Sequence, residues 1–207
     1  MLPDIFTAIQ NLADHYSARL KTQIAVREKE MEADDTSHHL VYRVLGVSSA
    51  EGRLIDLYQN KGRFLYKYAG AFLEAAAIAC LRHRFPDSKK ARVPNTHGSR
   101  PKMFEIDSLV GSSAYEIKWR DATTDGDHIT KEHTRVRVIK DHGYTPVRLM
   151  FYYPQREQAK RIQETLRTLY HGVGGEYFYG DAAWCHLHEQ TGVDLLGILN
   201  RIANSGS

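Results

Sequence analysis

The chain has 207 residues, 42% of them hydrophobic and 26% charged, with a formal net charge of +3. That length suits one globular domain with a real core, and so mild a charge excludes a histone-like polycation. Two cysteines, Cys80 and Cys185, exclude a disulfide framework, and no Cys-x-x-Cys pair offers a metal site.

No apolar signal core opens the chain and no run approaches the ~20 apolar residues of a membrane span, so a cytoplasmic protein is expected. Ile5, Ile9, Leu12, Tyr16 and Leu20 recur at three- and four-residue steps and predict a first helix, which the polar run Glu28 to Ser37 ends. His38-His39 reads as a surface pair. Ser48 and Glu51 have capping-box spacing and open a second helix. Arg63 to Arg84 gives a third, through Phe64, Leu65, Tyr68, Phe72, Ala75, Ala76, Ile78 and Ala79.

Between Arg82 and Lys102 basic residues face a single acid, Asp87, and the prolines and glycine predict a loop. In it, Lys89, Lys90, Arg92, Arg100 and Lys102 are candidates to grip a phosphate backbone, the plain alternative being a solvated connection. Phe104–Val110 and Ala114–Trp119 then predict two strands joined by a Gly-Ser-Ser turn. Asp125-Gly-Asp127 caps a helix from about His128 to His142, with Ile129, Val136 and Ile139 on its apolar side and Lys131, Arg135 and Lys140 turned away. Val147 to Tyr153 is a nearly continuous apolar run, as in a strand buried on both faces, and Pro154 ends it. Ala159, Ile162, Leu166 and Leu169 mark an amphipathic helix, and a helical pair covers Asp181–Gln190 and Asp194–Ala203.

The fold class expected is α/β, a mixed central sheet flanked by helices with extra N-terminal and C-terminal helices. We expect one domain over 1–207, with a helical N-terminal part (1–62), a core (63–170) and a helical tail (171–207).

Side chains alternate faces along a strand, so Tyr115, Ile117 and Trp119 point one way and Glu116 and Lys118 the other. With Asp107 facing the same side from the neighbouring strand, two carboxylates and an ammonium converge. Such a pair of acids suits a hard divalent cation such as Mg²⁺, and a lysine beside it can orient a water or neutralise charge on a phosphate. Glu105 shares the face of Asp107 and reads first as a solvated side chain, a second-metal ligand being the alternative. Glu74 lies in an apolar helix, where a charge is costly unless paired or near a metal; the alternative is that it points outward.

The segment from Trp119 to Arg135 leaves the second strand with both donors and acceptors, as base-edge reading requires. Its candidates are Arg120, Asp121, Thr123, Thr124 and Asp125, then Asp127, His128, Lys131 and Arg135. A plain capped helix and loop is the alternative. His186-x-His188 beside Cys185 does not make a zinc site, because two histidines at that spacing do not face one another on a helix.

Asp107 followed by Glu116-x-Lys118 resembles the PD-(D/E)XK nuclease signature, with Ile106 where the motif has its proline. The surroundings resemble type II restriction endonucleases, and the wording from Glu116 to His128 resembles the subgroup named for the ApaLI enzyme. The resemblance implies Mg²⁺ held by Asp107, Glu116 and the Ile117 carbonyl, with Lys118 aligning a water and Glu74 joining the site. It also implies double-stranded DNA as substrate, a palindromic site, 5′-phosphate products and a homodimer, for which the first and closing helices are the candidate contact. A repair nuclease or junction resolvase would use the same acids and lysine. A binding module that does not cut would use Lys118 and the basic loop for phosphate contacts alone.

Overall fold

The computed structural model describes residues 4–120 and 126–205, with side chains resuming at residue 129. Its elements run α1 (Ile5–Glu32), α2 (His39–Val44), α3 (Ser49–Arg84), β1 (Lys89–Pro94), β2 (Met103–Val110) and β3 (Ser113–Lys118). There follow α4 (Gly126–Asp141), β4 (Thr145–Met150), α5 (Glu157–Gly172), β5 (Glu176–Tyr179), α6 (Asp181–Thr191) and α7 (Leu195–Ser205). Two compact units result, one of Asn11–Phe72 and the other of Met1–Gln10 with Leu73–Ser207.

The Asn11–Phe72 unit is helical. Tyr16 of α1 meets Tyr68 and Phe72 edge-on, at ring separations of 6.5 and 6.1 Å. The capping box forms as the spacing predicts: Glu51 accepts the Ser48 backbone N–H at 3.0 Å and Ser48 Oγ accepts the Glu51 N–H at 3.2 Å. Two expectations change. The second and third helices are one, α3, of 36 residues, because Gly62 weakens a helix by only about 1 kcal/mol and good helix formers flank it. His39 is no surface residue; it is 6% exposed, its ring stacked on Tyr42.

Where no membrane-length run was expected, α3 is long and apolar enough to cross a membrane by length and composition alone. The core helix of a soluble protein passes the same test.

The larger unit is built on a mixed five-stranded sheet in the order β1-β2-β3-β4-β5. β1, β2 and β3 pair antiparallel, and β3, β4 and β5 pair parallel. On one face, α4 places Val138 and Ile139 against Phe104, Ile106 and Ala114. A second cluster joins Val136 of α4 to Ile162, Leu166 and Tyr170 of α5 and Tyr177 of β5. On the other face, His186 of α6 reaches Tyr115 of β3 and stacks on Phe178 of β5, ring centroids 4.0 Å apart.

Two strands were not expected. Lys89, Lys90 and Arg92 lie in β1 rather than in a loop. It is an edge strand whose side chains are buried only at Val93 and partly at Ala91, so its charged outward positions disguise it. β5 lies in the tail predicted to be helical; Tyr177, Phe178 and Tyr179 favour a strand, but four residues give too short a run to show a period.

Candidate active site

Two irregularities in β2 and β3 set the site. Lys89 pairs with Leu109 but Ala91 with Ile106, so β2 uses three residues where β1 uses two. The extra residue is a bulge at Asp107–Ser108, which brings Phe104, Ile106 and Leu109 to the α4 face and re-aims Asp107. Beyond it, Val110 pairs with Ser113 across a two-residue turn. Gly111 takes φ +56° there, the glycine-first pattern of a II′ hairpin, whose twist suits the strands.

Ser108 pairs with Tyr115, which sets Asp107 level with Glu116, one step further along. One residue beyond that level the Asp107 side chain meets the β3 backbone: its Oδ2 accepts the Ile117 backbone N–H at 2.8 Å. Asp107 is 6% exposed and Glu116 4%. Lys118 Nζ lies 2.5 Å from Glu116 Oε1, with its side chain 32% exposed. The structure therefore brings Asp107, Glu116, Ile117 and Lys118 together.

Glu74 joins them from α3. Burial pushes its carboxyl above the ordinary carboxylate range and the nearby Asp107 charge adds to this, while Lys90 and Lys118 pull the other way. Lys90 Nζ bridges Glu74 at 3.4 Å and Glu105 at 3.0 Å. Glu105 points to this lysine and to Arg92, at 3.1 Å, and the two cations hold its carboxyl below the usual range.

Arg135 is a correction. The expected recognition residue is 9% exposed and turned inward, where Nη1 forms an ion pair with Glu116 Oε2. Nη2 donates to the Glu105 carbonyl at 2.9 Å. Burial lowers the guanidinium from its ordinary value, opposed by nearby Tyr170 and Asp107. Behind Arg135 is a network not foreseen: Glu132 Oε2 accepts from Arg148 at 2.9 Å and from the Tyr170 hydroxyl at 3.3 Å. Burial acts against the Arg148 charge, but Glu132 and Tyr170 outweigh it and hold the group above its usual value. The available signal was Arg148 itself, a charge inside an apolar strand that has to be paired.

Of the remaining DNA candidates, Lys89, Arg100, Lys102 and Lys131 are exposed. Arg120 lies over the Trp119 ring at 5.6 Å. Asp121, Thr123, Thr124 and Asp125, and the side chains of Asp127 and His128, lie outside the described residues.

Neighbouring carboxylates on Asp107 and Glu116, with the Ile117 carbonyl, are an oxygen donor set that fits a hard divalent cation. Glu116 Oε2 is buried without a hydrogen bond among the described residues, so its charge rests on the Arg135 ion pair.

A mixed sheet flanked by helices, with two acids and a lysine on adjacent strands, describes a restriction-endonuclease-like fold. A family model, ApaLI-like restriction endonuclease, matches residues 1–204. The chain belongs to that family and is an endonuclease that hydrolyses DNA. Enzymes of this kind generally use a divalent metal. No curated protein and no solved structure matches the chain.

Proposed function

We propose that the chain cuts double-stranded DNA at a short palindromic sequence with Mg²⁺ at Asp107, Glu116 and the Ile117 carbonyl, leaving 5′-phosphates. Asp107 and Glu116 with Lys118 are then a PD-(D/E)XK centre. The observation that carries this reading is the Asp107–Ile117 hydrogen bond, which fixes the first acid beside the second acid and its lysine.

When bound, the cation supplies Lewis-acid polarisation of a phosphate oxygen and a more acidic water. Asp107 and Glu116 would hold it, and Lys118, the most solvent-accessible of the three, would align a water for in-line attack. Arg135 steers Glu116 from behind. Glu74 extends the acid cluster on the side of Lys90. Lys89, Arg100, Lys102 and Lys131 neutralise phosphates.

A palindrome calls for two-fold symmetry and hence a homodimer cutting both strands. The segment 1–62 is our candidate for the dimer interface, because Val44, Leu45, Leu54, Ile55 and Tyr58 are large apolar side chains each more than half exposed. We place the enzyme in the cytoplasm, where its DNA substrate is.

Digestion of a fully sequenced plasmid with Mg²⁺, followed by sequencing of the ends, tests the reading. Discrete fragments with 5′-phosphates at one repeated palindrome are expected. A smear would point instead to a nonspecific or structure-selective nuclease, and retarded but uncut DNA to a binding module.

A further inference from the structure

Within the Asn11–Phe72 unit, His38 and His39 at the start of α2 converge on Asp56 of α3. His38 Nε2 lies 3.1 Å and His39 Nε2 3.3 Å from Asp56 Oδ2. One ligand atom from each of the three residues falls within 4.8 Å of the others. A tetrahedral zinc ion with bonds of about 2.0–2.1 Å has ligand-to-ligand edges of about 3.3 Å, which both measured spacings match.

The ligands are held from behind. The Tyr42 hydroxyl donates to Asp56 Oδ1 at 2.9 Å, and Asn60 Nδ2 donates to the Asp56 carbonyl at 2.9 Å. The Tyr42 ring stacks on His39, ring centroids 5.2 Å apart, and only 8% of the His39 side chain is exposed. Outer partners of this kind fix ligand orientation at metal sites. The cluster forms part of the wall of a cavity of about 480 Å³ that Glu32 and Asp34 also line.

We propose that His38, His39 and Asp56 bind one transition-metal ion of the Zn²⁺ class, separate from the catalytic centre. Two imidazoles select such an ion over Mg²⁺ or Ca²⁺, which favour all-oxygen sites. The fourth position faces the cavity and takes water. The ion ties α2, and through it the polar connection after α1, to α3.

The test uses the full chain, stripped with chelator, in the wild-type and Asp107→Asn forms, the latter weakening the carboxylate centre. Zinc is titrated against a chromogenic chelator, and Co²⁺ substitution reports the geometry. One tight equivalent of zinc retained in Asp107→Asn as in the wild type, with a tetrahedral Co²⁺ spectrum, is expected. His38→Ala, a side chain 50% exposed and so replaceable without opening the core, is expected to weaken zinc at least tenfold, and Asp56→Asn likewise. Circular dichroism verifies that both variants are folded. The proposal is overturned if the wild type takes up no zinc, if Asp107→Asn alone loses it, or if folded His38→Ala binds as tightly as wild type.

Discussion

Arg135 of α4 and Glu116 of β3 form a buried ion pair, and the same guanidinium donates to the Glu105 carbonyl of β2. One side chain thus ties the helix to both strands that carry the candidate acids. Removing one partner of a buried pair leaves the other charge uncompensated, at a cost of about 3–5 kcal/mol. Arg135→Met should lower unfolding stability by that order in urea titrations. Arg135→Lys should recover only part of it, because an ammonium lacks the planar fork that reaches two acceptors.

The Glu132–Arg148 pair should show strong coupling. Arg148 is 1% exposed and Glu132 3%, so Arg148→Met or Glu132→Gln alone strands a buried polar group. The double variant should cost less than the sum of the two singles. A double-mutant cycle by chemical denaturation measures the difference directly.

His186 gives the fold an acid sensitivity. Burial against Tyr115 and Phe178 lowers its pKa from 6.5, with Glu176 and Glu189 opposing. Its folded pKa being depressed, the unfolded chain binds the proton more readily, so this group's share of stability is complete above about 6.5 and declines as pH falls toward the folded value. His186→Phe keeps a ring on Phe178 and removes the proton site. Stability measured from pH 8 to pH 5 should fall less steeply in that variant than in wild type.

The exposed cations Arg100 and Lys102 should contribute to the salt dependence of DNA binding. Replacing Arg100 and Lys102 with alanine should weaken binding about equally for all sequences. It should also reduce the slope of log affinity against log salt by about 1 for each phosphate that is no longer neutralised. Gel retardation of specific and random duplexes across salt concentrations provides the check.

Much of this arrangement was legible in the sequence, for identifiable reasons. Alternation in Ala114–Lys118 fixes which side chains share a face, so the meeting of Glu116 and Lys118 follows from period two alone. The capping box at Ser48 and Glu51 was equally local. The bulge at Asp107 could not be read, because it exists only as a mismatch between β1 and β2. Arg135 was misread for a related reason: its helical position makes it look solvent-facing, and only the docking of α4 against β3 buries it. β1 and β5 were hidden by edge charges in one case and by brevity in the other.

On the reading proposed above, Asp107, Glu116 and Lys118 form the hydrolytic centre. The most direct measurement is the single-turnover cleavage rate of a duplex carrying the target site, compared for wild type, Asp107→Asn and Lys118→Ala, with affinity measured in parallel by gel retardation. Each substitution is predicted to slow cleavage by about 10²–10³-fold or more while the duplex is still bound. Cleavage by either variant within tenfold of wild type, at full occupancy, would contradict the assignment.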